Sequence, residues 1–180
     1  MNSKTNAPTR RHAITGIAVA LCSAAAGSST RASAQTPAMQ QTPAAAANQA
    51  RTSLHQEIEL SATPQRIFDV LLDSKLFAAF TGMAATIDPK PGGAFTTFGG
   101  MIEGRNIEII SGQRIVQAWR PTAWDPGVYS IVHFELKPSA GGTLVILDHT
   151  GFPEGDFDHL DPGWHIRYWD PLKKYLAGPE

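Results

Sequence analysis

Gly163-Trp164-His165-Ile166-Arg167-Tyr168-Trp169-Asp170-Pro171-Leu172-Lys173-Lys174-Tyr175 is the stretch that decides the architecture. Trp164, Tyr168, Leu172 and Tyr175 recur at i, i+4, i+8 and i+11, which places them on one face of an α-helix. Such a face is too large and too aromatic to stay in water, so the helix needs a broad apolar partner. Pro171 lacks an amide proton and should kink the helix where it falls.

The residues upstream supply that partner. Leu54, Ile58 and Leu60 alternate with His55, Glu57 and Glu59, the period of two of a strand, although Gln56 interrupts the apolar set. Thr63 suits an N-cap and Pro64 the first helical position, with Ile67, Phe68, Leu71 and Leu72 at helical spacing over 64–73. Ser74 is expected to cap a second short helix, which Gly82 stops. Strands follow at 83–88, 94–98, 101–110, 114–120, 128–137 and 143–150, separated by Gly- and Pro-rich turns. A loop over 151–162 leads into the terminal helix. This order is α+β: an antiparallel sheet buries one face, and the terminal helix is the one predicted element large enough to cover it.

Alternation along the strands nominates the interior. Arg120 is expected in water, leaving Ile115, Gln117 and Trp119 inward. Glu135 outward sends Ser130, Val132, Phe134 and Leu136 inward, and Asp148 outward sends Val145, Leu147 and His149 inward. Gln117 and His149 are then polar groups on an apolar face, each requiring a hydrogen-bond partner from protein or ligand. A sheet curling around a helix tends to enclose a hollow. Phe80, Phe95, Gln117, Trp119, Trp124, Phe134, His149 and Trp169 are the expected lining, with Trp124 at the mouth. Packing of the core alone would also account for most of the aromatic residues.

Residues 1–34 read as an export signal. Lys4, Arg10 and Arg11 precede a weakly apolar run, 13–22, too short to span a bilayer, and Ala32-Ser33-Ala34 offers a cleavage site. Thr9-Arg10-Arg11-His12-Ala13-Ile14 resembles the twin-arginine motif. The mature protein is accordingly expected in the periplasm or outside the cell. Residues 35–51 are an Ala/Pro/Gln-rich spacer, and residues 52–180 form the folded domain. The leader holds four of the 15 basic residues and none of the 16 acidic ones, so the remainder is net acidic. That composition argues against binding nucleic acid or, in the mature form, a membrane surface. The single cysteine, Cys22, also lies in the leader, so no thiol chemistry is expected after cleavage.

Ala62-Thr63-Pro64-Gln65-Arg66-Ile67-Phe68, Pro91-Gly92-Gly93-Ala94-Phe95 and Arg114-Ile115-Val116-Gln117-Ala118-Trp119-Arg120 carry a family resemblance. So do Gly142-Thr143-Leu144, His149-Thr150-Gly151-Phe152-Pro153, and Gly163-Trp164 leading into Tyr168-Trp169 and Leu172-Lys173. In this order they resemble the C-terminal domain of heat-shock-protein-90 ATPase activator homologues, a branch of the SRPBCC (START-like) superfamily. The resemblance covers roughly 54–178 and implies a helix-grip fold, a curved antiparallel sheet wrapped around a long C-terminal helix. The eukaryotic activators pair this domain with another that docks on the cytosolic chaperone. Here a leader and a spacer stand in front, so the co-chaperone role is not expected to carry over.

The chemistry-bearing inventory is thin. No nucleophile elbow, phosphate-cradling glycine loop or dinucleotide fingerprint occurs, and no cofactor is expected. Asp156, Asp158, His159, Asp161 and His165 cluster without a metal-ligand spacing, so no metal site is expected either. The reading is therefore a module binding a small hydrophobic or amphipathic molecule. Two alternatives stand beside it. One is a polyketide cyclase or dehydratase-like enzyme, as some helix-grip relatives are, with His149 as the base. The other is a protein-interaction module of the co-chaperone type.

Overall fold

The structure is a computed structural model that describes residues 51–178. The leader, and all of the spacer but Arg51, lie outside the described residues. The elements run β1 Ser53–Leu60, α1 Pro64–Leu72, α2 Ser74–Thr81, β2 Thr86–Ile87, β3 Ala94–Thr97, β4 Ile102–Ile110, β5 Arg114–Pro121, β6 Ser130–Ser139 and β7 Gly142–Thr150. They end in α3 Phe157–Trp164, a π-helical turn His165–Trp169 and α4 Asp170–Leu176. All seven strands form one antiparallel sheet in the order β1-β7-β6-β5-β4-β3-β2. This is the α+β helix-grip arrangement.

Local chemistry explains the start of the domain. Thr63 Oγ1 accepts the Arg66 amide proton at 3.2 Å, and Pro64 opens α1. The cap of α2 is Asp73, not Ser74: its carboxylate accepts from the amides of Lys75 and Leu76 at 2.8 and 2.9 Å. A carboxylate is the stronger acceptor for two exposed amides near a helix N-terminus. Ser74 instead accepts from the Ile87 amide at 2.9 Å and so pins β2 to α2. Gly82 ends α2 in the left-handed conformation at φ 69. The segment expected as a strand over 83–88 pairs only at Thr86 and Ile87.

The terminal helix departs most from expectation. It starts at Phe157, so the expected loop over 151–162 is helical in its second half, and Pro162 lies inside α3. Beyond it the Asp170 amide bonds to the His165 carbonyl, five residues back. This wide turn sits immediately before Pro171, whose ring nitrogen cannot donate, and it accommodates the proline without breaking the rod. The extra residue shifts the buried face: Trp164, Tyr168, Trp169 and Leu172 all point inward, and Tyr175 is half-buried.

The core lies between this helix and one face of the sheet. The alternation expected in β5, β6 and β7 is present: Ile115, Gln117, Trp119, Ser130, Val132, Phe134, Leu136, Val145, Leu147 and His149 are all buried. Arg120 is the exception to the expected pattern. It is 8 % exposed, because Glu103 on the neighbouring strand and the carbonyls of Trp124 and Asp125 fold around its guanidinium. A bulge between Asn106 and Glu108 breaks the β4–β5 register and leaves Ile107 exposed.

Candidate functional site

The inward ends of β5, β6 and β7 meet the helix around His149. Its Nδ1 accepts the indole N–H of Trp164 at 3.2 Å, and Nε2 lies 2.7 Å from Ser130 Oγ. Ser130 in turn donates to the Trp119 carbonyl at 3.0 Å. The three contacts admit one proton arrangement: the imidazole is neutral, carries its proton on Nε2 and donates to Ser130. Burial pushes its pKa down to about 3. The rings of Trp119, Phe152 and Trp164 enclose it with centroids 5.0 to 5.7 Å away. Both nitrogens are thus spoken for inside the protein. This geometry removes His149 as a general base, which would need a free lone pair facing the substrate.

Gln117 is satisfied in the same way. Its amide donates to Asn106 Oδ1 at 2.9 Å across the β4–β5 pair, and Asn106 Nδ2 donates to the Asp88 carbonyl at 2.8 Å. Gln56, the interruption in the first strand, is buried and structural. Its carbonyl accepts the Trp169 indole N–H at 2.6 Å, and its amide donates to the Asp161 carboxylate at 2.8 Å. It ties β1 to both halves of the terminal helix.

With those polar groups paired, most of the space between sheet and helix is filled. Phe95, Gln117 and Phe134 border a residual void of about 10 Å³, and Trp169 and His149 are fully buried. Phe80 packs edge-on against Phe77, 4.8 Å between centroids. A larger cleft, about 290 Å³, opens at the end of the sandwich. Trp119, Trp164, Tyr168, Phe98, Leu160 and Ile102 form its walls, and the loop residues Pro121, Thr122 and Ala123 form one lip. Of the eight side chains nominated from sequence, Trp119 alone lines it. Trp124 stands behind the wall, edge-on to Trp119 at 5.9 Å.

Sequence reasoning missed Phe98, Leu160 and Tyr168 as cleft residues. Phe98 holds φ 52, a left-handed conformation unusual for a bulky side chain. The following Gly99-Gly100 was the available signal of a tight reversal there. The conformation turns the Phe98 ring inward, 5.1 Å from Tyr168. Burial pushes the Tyr168 phenol above its ordinary pKa, so it stays a neutral hydroxyl among the rings.

The acidic and histidine cluster disperses around α3. Asp158 pairs with Arg51 at 2.9 Å, Asp161 holds Gln56, and His159 faces the cleft. Among the described residues no three of these groups converge on a common point.

Comparison with known proteins is consistent with this geometry. The family described as Activator of Hsp90 ATPase homolog 1-like protein matches residues 61–177. An activator of 90 kDa heat shock protein ATPase homolog from Dictyostelium discoideum is 32% identical over 116 residues, 64% of this chain and 30% of that protein. The chain thus spans about a third of the length of the curated relatives it matches. Among solved structures, an HSP90 activator from Plasmodium falciparum superposes with a TM-score of 0.66 at 26% identity, covering 71% of this chain and 98% of that one. The Aha1 dimer from Colwellia psychrerythraea gives 0.60 at 16% identity, with 69% and 95% covered, a likeness of fold alone.

Proposed function

The chain belongs to the Activator of Hsp90 ATPase homolog 1-like family, and from that premise we propose that it is an exported member whose domain binds a small hydrophobic or amphipathic molecule. One observation carries the reading: an aromatic-walled cleft of about 290 Å³ remains at the end of an otherwise filled core. That volume is at the small end of the range of ligand sites, roughly 300–1,000 Å³. Four aromatic walls favour a flat or chain-like apolar body. Export is supported by the basic, acid-free leader and its Ala32-Ser33-Ala34 end.

Gly163 provides the test. It lines the cleft, and a Cβ built on it meets no atom within 4 Å. Gly163→Phe should fill the space while leaving the fold intact. Thermal denaturation against fatty alcohols and naphthalene derivatives should show stabilisation of the native chain that grows with ligand concentration. The stabilisation should vanish in Gly163→Phe. A flat response of the native chain across the set refutes the binding reading. Export is checked by fractionating cells that express the full chain and its Arg10→Lys/Arg11→Lys variant.

A second reading rests on the relatives' names: a protein-interaction module related to the HSP90 activators. It predicts a protein retained by the immobilised chain whether or not Gly163→Phe fills the cleft.

A further inference from the structure

The cleft has a charged rim of one sign. Its walls are apolar, and the two basic side chains at its edge are His159 and Arg167. They lie two turns apart on the terminal helix, both exposed, on the side that carries Leu160, Gly163 and Trp164 to the cleft. Among the described residues no carboxylate lines the opening. The acids nearest in sequence are engaged or directed elsewhere: Asp158 pairs with Arg51 and Asp161 accepts from Gln56. Arg167 makes no ion pair within 4 Å among the described residues, although Asp170 stands three positions on. A guanidinium placed at the mouth of an apolar slot suits a ligand that is greasy at one end and anionic at the other. Its planar fork matches a carboxylate in two hydrogen bonds.

We propose that the cleft selects an aromatic carboxylate, its rings against Trp119, Trp164 and Phe98 and its carboxylate on Arg167. This rests on the cleft being a ligand site, and it names the class of ligand. Electrostatics here chooses among occupants that the apolar walls would otherwise accept alike.

Three probes of one shape separate the claims: 2-naphthoate, 2-naphthamide and 2-naphthylmethylamine, titrated into the full chain by calorimetry at low salt. The expected order is naphthoate first, about fivefold or more tighter than the amide, with the amine weakest. Arg167→Gln, an exposed change that should leave the melting temperature unmoved, should bring naphthoate down to the amide. Added salt should narrow the same gap in the native chain. Equal binding of naphthoate and naphthamide would overturn the anion preference while leaving the cleft as a binding site. Absence of binding by all three would remove the ligand site and the preference with it. Persistence of the naphthoate advantage in Arg167→Gln would overturn the role assigned to Arg167.

Discussion

Trp164 donates its indole N–H to Nδ1 of His149 across 3.2 Å, and that bond fixes the imidazole as a neutral group with its proton on Nε2. The pair joins the middle of the terminal helix to the last strand of the sheet. A group needed for chemistry in a binding fold would face the cleft. His149 faces the core and holds the two layers in register.

The first prediction follows from its pKa, near 3 in the folded chain against about 6.5 unfolded. Between those values the unfolded chain binds a proton that the folded chain refuses. The neutral imidazole's contribution is therefore complete above about pH 6.5 and is lost as pH falls toward 3. Stability should drop by roughly 2 kcal/mol between pH 7 and pH 5 from this group alone. Urea denaturation at both values should show that loss in the native chain. His149→Gln should start lower at pH 7 and decline less. Equal slopes for the two proteins would contradict the assignment.

Arg120 carries the second prediction. Its guanidinium donates to the Trp124 carbonyl at 2.6 Å and the Asp125 carbonyl at 3.2 Å, beside the Glu103 carboxylate. Trp124 rests on Trp119, so this residue holds the loop behind the cleft wall. Arg120→Ala leaves two carbonyls and a carboxylate without their donor and should cost about 2–4 kcal/mol. Glu103 is more exposed, and water can replace it, so Glu103→Gln should cost less than about 1 kcal/mol. Chemical denaturation of both variants measures the ratio. Equal costs would mean that the ion pair, not the loop carbonyls, is what matters.

The order of elements and the inward faces of β5, β6 and β7 were legible because alternation over eight or more residues leaves little choice of face. Arg120 misled because a charged residue on the outer face reads as solvated, and its cover comes from a loop without periodicity. Gln56 misled for the opposite reason: a polar residue on an apolar face reads as a defect until its partners, Trp169 and Asp161, are brought more than 100 residues along the chain to meet it. The π-helical turn has no periodic signature either. A strict 3.6-residue reading buries Trp164 and Tyr168 but leaves Trp169 to one side. The cleft was the least legible feature, since it depends on which part of the core stays unfilled, and that is decided by Phe98 turning inward at a strained φ.

The third prediction concerns the outer face of the sheet. His55, Asp148 and His133 stand in one cross-strand row on β1, β7 and β6. His55 Nδ1 lies 2.7 Å from Asp148 Oδ1, and that bond raises its pKa above 6.5. The pair's contribution is present below the unfolded value and is lost as pH rises through the folded pKa, opposite in sign to His149. A proton NMR titration should place His55 above the ordinary value. Asp148→Asn should bring it back toward 6.5. An unchanged midpoint would show that Glu57, 3.5 Å away, supports the charge instead.

Two glycines give opposite expectations for the same substitution, and the difference is purely spatial. Gly104 faces Phe95 across the β3–β4 pair, and a Cβ there would lie 2.4 Å from the Phe95 ring and 2.1 Å from the Ala118 carbonyl. One of those neighbours is backbone and cannot move aside without parting β4 from β5. Gly104→Ala should therefore destabilise by about 1–3 kcal/mol, the usual cost of overpacking. Gly163 is helical and has open space where its Cβ would go. Alanine restricts the unfolded chain and suits the helix better, so Gly163→Ala should stabilise by about 0.5–1 kcal/mol. Thermal melts of the two variants beside the native chain decide the matter. A destabilised Gly163→Ala would mean that the cleft is narrower than described, and the small-molecule reading would fall with it.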